Sequence, residues 1–233
     1  MAHSLKGKSV SFIPSTVDVF YEGILDFMEN VIGFPWIIEE VSTTEKRYFL
    51  DEDKKIGFTA IKGKAVSNSG LYVFSGGNKV TNSTIYSSAN TLKLYLYGQV
   101  SAAENTVYIG SMCTANYING AVAAKDESGK WSILYSNNLT GLIATESFNA
   151  QNCKLSDSKN YDYNGSSYSL TKAPNGISGT EFKELYWVAF CPARPSIDIN
   201  TGLQEIYVTA EGKTYRLVSL YKDYIVLGFP VSD

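Results

Sequence analysis

One histidine, His3, stands near the start of a chain that carries 17 tyrosines. Histidine is the side chain whose ordinary pKa suits general-base work near neutral pH, and a single terminal one is a poor catalytic base. The three cysteines, Cys113, Cys153 and Cys191, lack C-x-x-C spacing and have no histidines to complete a zinc set. They read as buried free thiols. Gly7-Lys8-Ser9 and Gly212-Lys213-Thr214 both copy the tail of a phosphate-binding loop. The glycine required five residues upstream is Ala2 in one and Tyr207 in the other, so backbone N–H groups cannot wrap a phosphate. Asp51-Glu52-Asp53 starts like a calcium loop, but Ile56 stands where the turn needs glycine and Lys62 where the closing glutamate belongs. It reads as a solvated hairpin tip. Glu39, Glu40, Glu181 and Glu184 are carboxylates of the kind a glycosidase pairs, yet they lie in or beside strands at no distinctive spacing. The chemistry-bearing residues therefore point to a chain that is not an enzyme and needs no metal or cofactor.

Tyrosine and tryptophan offer a different chemistry, that of large apolar surfaces with a polar tip. Trp36 and Trp187 sit in apolar runs and read as core. Trp131, with Tyr135 close by and the Asn137-Asn138 turn after it, has two readings. Core or subunit packing is favoured; the other is an aromatic face beside amides, as in sugar-binding β modules. Tyr161, Tyr163 and Tyr168 lie among polar residues in the most loop-like stretch, 151–178. Trp131, Tyr135, Tyr161, Tyr163 and Tyr168 together make the candidate contact surface.

The elements that must carry these residues are mostly strands. One segment reads as helix: Ser15 or Thr16 caps it, Asp18 favours the dipole in its first turn, and Val17, Phe20, Ile24, Phe27, Met28 and Val31 recur at three- and four-residue steps. Gly33 and Pro35 stop it. Its single apolar face requires a sheet to lie on. Trp36–Val41, Arg47–Leu50 and Ile56–Ile61 read as strands, and Leu92, Leu94 and Leu96 alternate with Lys93, Tyr95 and Tyr97. From Lys64 to about Ser178 short apolar pieces alternate with Ser/Asn/Gly-rich turns, the texture of a β-sandwich. Leu185–Phe190 reads as a buried strand, followed by three short ones ending at Phe229, with hairpin turns at Glu211-Gly212 and Lys222-Asp223. The expected fold is mainly β (α+β): an N-terminal amphipathic helix packed on an antiparallel sheet, with a β-sandwich-like middle region. Residues 1–63 with 179–233 would form a docking body, and 64–178 an inserted or projecting β region.

Charge narrows the partners. Charged residues are 18% of the chain, below the usual ~25%, and 20 Lys+Arg mixed evenly with 23 Asp+Glu leave no basic stripe for nucleic acid. No apolar run reaches the ~20 residues of a membrane span. The first residues carry no apolar h-region, so the expectation is a chain made and folded in a cytoplasm.

The order of these pieces resembles the structural proteins of tailed bacteriophage virions, of the tail, neck or baseplate-associated kind. The amphipathic helix runs into Phe34-Pro35-Trp36-Ile37-Ile38-Glu39-Glu40. A charged hairpin, Tyr48-Phe49-Leu50 to Lys55-Ile56-Gly57-Phe58, follows, and then the alternating strand Leu92–Tyr97. Ile206-Tyr207-Val208, Lys213-Thr214-Tyr215-Arg216 and Tyr224-Ile225-Val226-Leu227-Gly228-Phe229 close the layout. The likeness covers about residues 15–100 and 182–231. It implies a virion component assembled in the host cytoplasm in several copies, partnered by itself and other virion proteins, with no cofactor, no nucleic acid and no membrane insertion. Host attachment through a surface glycan, by a carbohydrate-binding β-sandwich, is the alternative.

Overall fold

Thr16 caps the helix as expected: its Oγ1 accepts the Val19 N–H at 3.2 Å, and Asp18 lies in the first turn. The computed structural model describes residues 8–86, 94–100, 105–113, 118–125, 129–137, 141–144, 148–149, 158–163, 166–172, 186–188, 197–198, 202–203, 207–210, 213–221 and 225–230. Helix α1 (Val17–Asp26) ends in a five-residue π-turn, Phe27–Val31, closed by the Ile32 N–H on the Phe27 carbonyl at 3.0 Å. Gly33, at φ 72°, then reverses the chain, a conformation that glycine adopts without steric cost.

Ahead of α1 the structure places a strand, β1 (Lys8–Phe12), where the sequence reading assigns no element. After it come β2 (Ile37–Ser42), β3 (Glu45–Phe49), β4 (Ile56–Ile61), β5 (Gly70–Ser75) and β6 (Asn78–Tyr86), a five-stranded antiparallel meander in chain order. The boundary expected at residue 63 falls inside this sheet, because β4 pairs with β5 over its whole length. Next are β7 (Leu94–Val100), β8 (Thr106–Cys113), β9 (Ile118–Lys125) and β10 (Trp131–Asn137). They form the second wall, ordered β1-β7-β8-β9, with β10 on the C-terminal half of β9.

The two walls face each other across one core. Tyr48, Phe58, Leu71 and Ile85 from the meander meet Leu96, Val107, Ile109, Ala121 and Ile133 from the second wall. The Ser111 hydroxyl donates to the Ile85 carbonyl at 2.7 Å across the gap. Helix α1 wedges into the opening, with Phe20, Ile24, Phe27 and Met28 fully buried. It lies on β4 and β5, the π-turn packs on β1, and Ile32 just beyond the turn reaches β7. There a Cβ on Gly98 would come within 2.8 Å of the Ile32 side chain. Burying four such side chains against about 2 kcal/mol each makes the helix inseparable from the sandwich. The mainly β architecture with one N-terminal amphipathic helix is therefore as expected.

The second wall continues past β9. Lys213–Tyr221 joins it at Tyr221, opposite Asn119, and the order runs on through Ile225–Pro230, Tyr186–Val188, Ser166–Lys172 and Ser158–Tyr163. Tyr207–Ala210 pairs with the other side of Lys213–Tyr221 and runs close to Ser158–Tyr163. These six strands therefore curl into a ring.

Candidate contact surfaces

The aromatic residues expected to make contacts divide sharply. Trp131, Ile133 and Tyr135 alternate along β10, so one face of that strand carries all three, and this face looks into the sandwich. Trp131 and Tyr135 are each only 4% exposed. The Phe34 ring meets Trp131 edge-on at 5.7 Å, and the Lys125 ammonium lies 5.3 Å from its centroid. Burial raises the ionisation of the Tyr135 phenol above its ordinary range. Neither residue belongs to a contact surface: both are core, the reading already favoured for Trp131.

Trp36, expected in the core, is half-buried and packs against it. Its indole N–H donates to the Met28 carbonyl at 2.9 Å, satisfying an acceptor in the π-turn. Its ring packs against Phe34, Phe58 and Tyr48 at centroid distances of 4.5, 5.7 and 6.1 Å. The Trp187 side chain lies outside the described residues, as do His3, Cys153 and Cys191 and the side chain of Cys113.

Tyr161, Tyr163 and Tyr168 are not in a loop. They occupy the hairpin Ser158–Tyr163/Ser166–Lys172, in which Tyr161 pairs directly with Tyr168 and Tyr163 with Ser166. Residues two apart share a face, so the register puts all three tyrosines on one side with Leu170. Ser158, Asn160, Asp162, Ser167, Ser169 and Thr171 take the other. The Ser/Asn composition that suggested a loop is the polar half of a strand alternation. The side chains themselves lie outside the described residues.

Two of the groups of charged residues bear on the search for a site. At the first, three turns meet around a groove of about 580 Å³ lined by Asp51, Glu52, Asp53, Lys55, Ile56, Ser75, Gly76, Gly129 and Lys130. Asp51 Oδ1 accepts the Lys55 backbone N–H at 3.1 Å, and Lys55 Nζ meets Asp53 at 2.8 Å. Their pairing lowers the Asp53 carboxyl and raises the Lys55 ammonium. The tip is the solvated charged hairpin that the sequence suggested.

At the second, sequence reading missed the central residue. On an α-helical wheel Glu29 falls opposite Phe20, Ile24 and Phe27, on the outer face. In the π-turn it instead accepts the Tyr48 hydroxyl at 2.8 Å and the Lys46 ammonium at 2.9 Å. Lys46 also reaches Glu40 at 3.1 Å. Burial, and then the Glu29 hydrogen bond, push the Tyr48 phenol far above its ordinary pKa. Lys46 is pulled down by burial but ends above its usual value through Glu29 and Glu40. Tyr48 is wholly buried while Glu40 stays exposed, so the Glu29–Tyr48 bond ties helix to sheet at the inner end of this group. No spacing in the sequence signals it, because a π-turn shifts the face that an α-helical wheel assigns.

Comparison with protein-family models, curated proteins and solved structures gives no match. Among the described residues, no group of three or more His, Cys, Asp or Glu side chains is placed to hold a metal ion, and no helix is long and apolar enough to cross a membrane.

Proposed function

We propose that this chain is a structural component of a tailed bacteriophage virion, of the tail, neck or baseplate kind, acting by subunit packing and without catalysis. The observation that carries this reading is the disposition of the reactive side chains. In the helix-plugged sandwich, Trp131 and Tyr135 pack the core with Trp36 against it, and Glu29, Lys46 and Tyr48 tie one element to another. What such a body presents outward is sheet surface and strand edge, the material of contacts between copies. The helix-to-meander order and the aromatic strand after the helix are the features it shares in layout with virion proteins. Mass spectrometry of purified particles from a host producing the chain tests the reading. The chain should appear at a fixed copy ratio to the other virion proteins, and its absence from particles would sink the proposal.

The hairpin register favours a second reading. Three tyrosines at neighbouring same-face positions, Tyr161 opposite Tyr168 and Tyr163 two residues on, are the arrangement on which a sugar ring could stack. A receptor-adhesion module would then bind a host-surface glycan there. Glycan-array binding lost on Tyr161→Ala and Tyr163→Ala would support it, and no binding to host polysaccharide would eliminate it.

A further inference from the structure

Glycine weakens the middle of a helix, because it has more backbone freedom to lose than alanine. Helix α1 nevertheless carries Gly23, one residue before the fully buried Ile24. The Phe12 ring of β1 gives the reason, since it fills the space that a side chain would take. A Cβ built on Gly23 would lie 2.7 and 2.8 Å from Cε1 and Cε2 of Phe12, well inside the ~3.5–4.0 Å of carbon contact. Strand and helix are fitted to each other at this one point. The rest of the attachment of β1 is light. It pairs with β7 from Lys8↔Gly98 to Phe12↔Leu94 and has no described strand on its other side. Val10 and Phe12 are half-buried, Ser11 is exposed, and the π-turn packs on the strand.

The link from β1 to the helix lies on the surface. Ile13 is 62% exposed, and the Ser15 N–H bonds locally to the Ile13 carbonyl at 2.8 Å. Helix α1, by contrast, has anchors of its own. Thr16 caps it, Phe20, Ile24, Phe27 and Met28 are fully buried, and Ile32 just beyond the π-turn seats on Gly98 of β7. We infer that β1 is a strap latched by the Phe12 ring on Gly23. It leaves β7 and returns as a unit, turning at Ile13–Ser15, while the helix and the sandwich stay folded. Closed, the strap covers the edge of β7; open, it leaves that edge with unpaired N–H and C=O groups. The fit between Phe12 and Gly23 sets how often the edge is bare. This device does not rest on the virion reading and holds whatever the chain assembles with.

Native-state hydrogen exchange of the full chain, read residue by residue by NMR at low urea, tests the strap. In wild type the amides of residues 8–12 should exchange through an opening with little urea dependence. Those of β3 and β4 should exchange only through one with the full urea dependence of unfolding. Gly23→Ala puts a methyl where the ring sits, and the ring is the free end of a side chain on the strap, so the strap must yield before the helix does. Exchange at residues 8–12 should rise about tenfold, while β3 and β4 stay as they were or slow, since alanine favours the helix. Phe12→Ala should give the same rise, and the double variant no more than either alone. A shared urea dependence for β1 and β4 in wild type would overturn the strap. So would a Gly23→Ala chain that exchanges faster everywhere or nowhere, or effects of the two substitutions that simply add.

Discussion

Two lysine–carboxylate pairs of nearly equal length do different work. Lys46–Glu29 measures 2.9 Å and Lys55–Asp53 2.8 Å. The first joins the π-turn to β3, with side chains 14% and 28% exposed; the second spans two residues of one hairpin tip, at 67% and 70%. Water screens the hairpin pair, and its partners are neighbours in the unfolded chain as well. The other pair shares Glu29 with the hydroxyl of a fully buried tyrosine, so removing the carboxylate leaves a polar group with lost partners inside the protein. Distance alone does not rank ion pairs; burial, and the number of elements they tie, does.

The sharpest way to break this contrast is to remove what seats the π-turn. Phe27→Ala empties a fully buried position and should cost about 3–5 kcal/mol in urea unfolding. Loss of under ~1 kcal/mol would mean that the turn is not clamped. Glu29→Ala, which strips Tyr48 and Lys46 of a shared acceptor, should cost about 1.5–3 kcal/mol. The matched change Asp53→Ala should leave the urea midpoint where it was. Equal effects from the two carboxylates would erase the distinction.

Tyr48→Phe should cost about 1–2 kcal/mol and change the pH dependence. Tyr48 is raised above the ordinary tyrosine value of 10.0, so its contribution is fully present below about pH 10. Above that the unfolded chain gives up the proton while the folded one keeps it, and stability falls as pH rises. Denaturation followed from pH 9 to 11 should therefore be steeper, by up to ~1.4 kcal/mol per pH unit, in wild type than in the Phe variant. Identical slopes would remove Tyr48 from the lock. The smallest effect belongs to Lys55→Ala, for which the melting curve should overlay that of the parent.

Parts of this were legible in the sequence for definite reasons. The helix announced itself because Thr16, Asp18 and the spacing of Phe20, Ile24 and Phe27 are local signals, and the meander because alternation and hairpin turns are local too. β1 was hidden because Lys-Ser-Val-Ser-Phe is short and half polar, and its partner, β7, is remote. Trp131, Ile133 and Tyr135 did carry a signal: period-two spacing put all three on one apolar face, which argues for core. The hairpin 158–172 was obscured because its polar face is Ser, Asn and Asp, residues that also make turns. Glu29 had no signal, since it is a π-turn and not an α-helical one that aims it at Lys46 and Tyr48 of β3. The composition changes at residue 63, between β4 and β5, yet their backbones pair, because pairing does not depend on composition.

The pairing of Lys8 with Gly98 also fixes an order in time. The whole five-stranded meander lies inside the loop that β1 and β7 close, and every link of that meander joins neighbours in the chain. Local pairs close at little entropic cost, whereas the β1–β7 pair must wait for the far strand to be made. During synthesis β1 thus precedes the whole meander and pairs only once β7 has followed it.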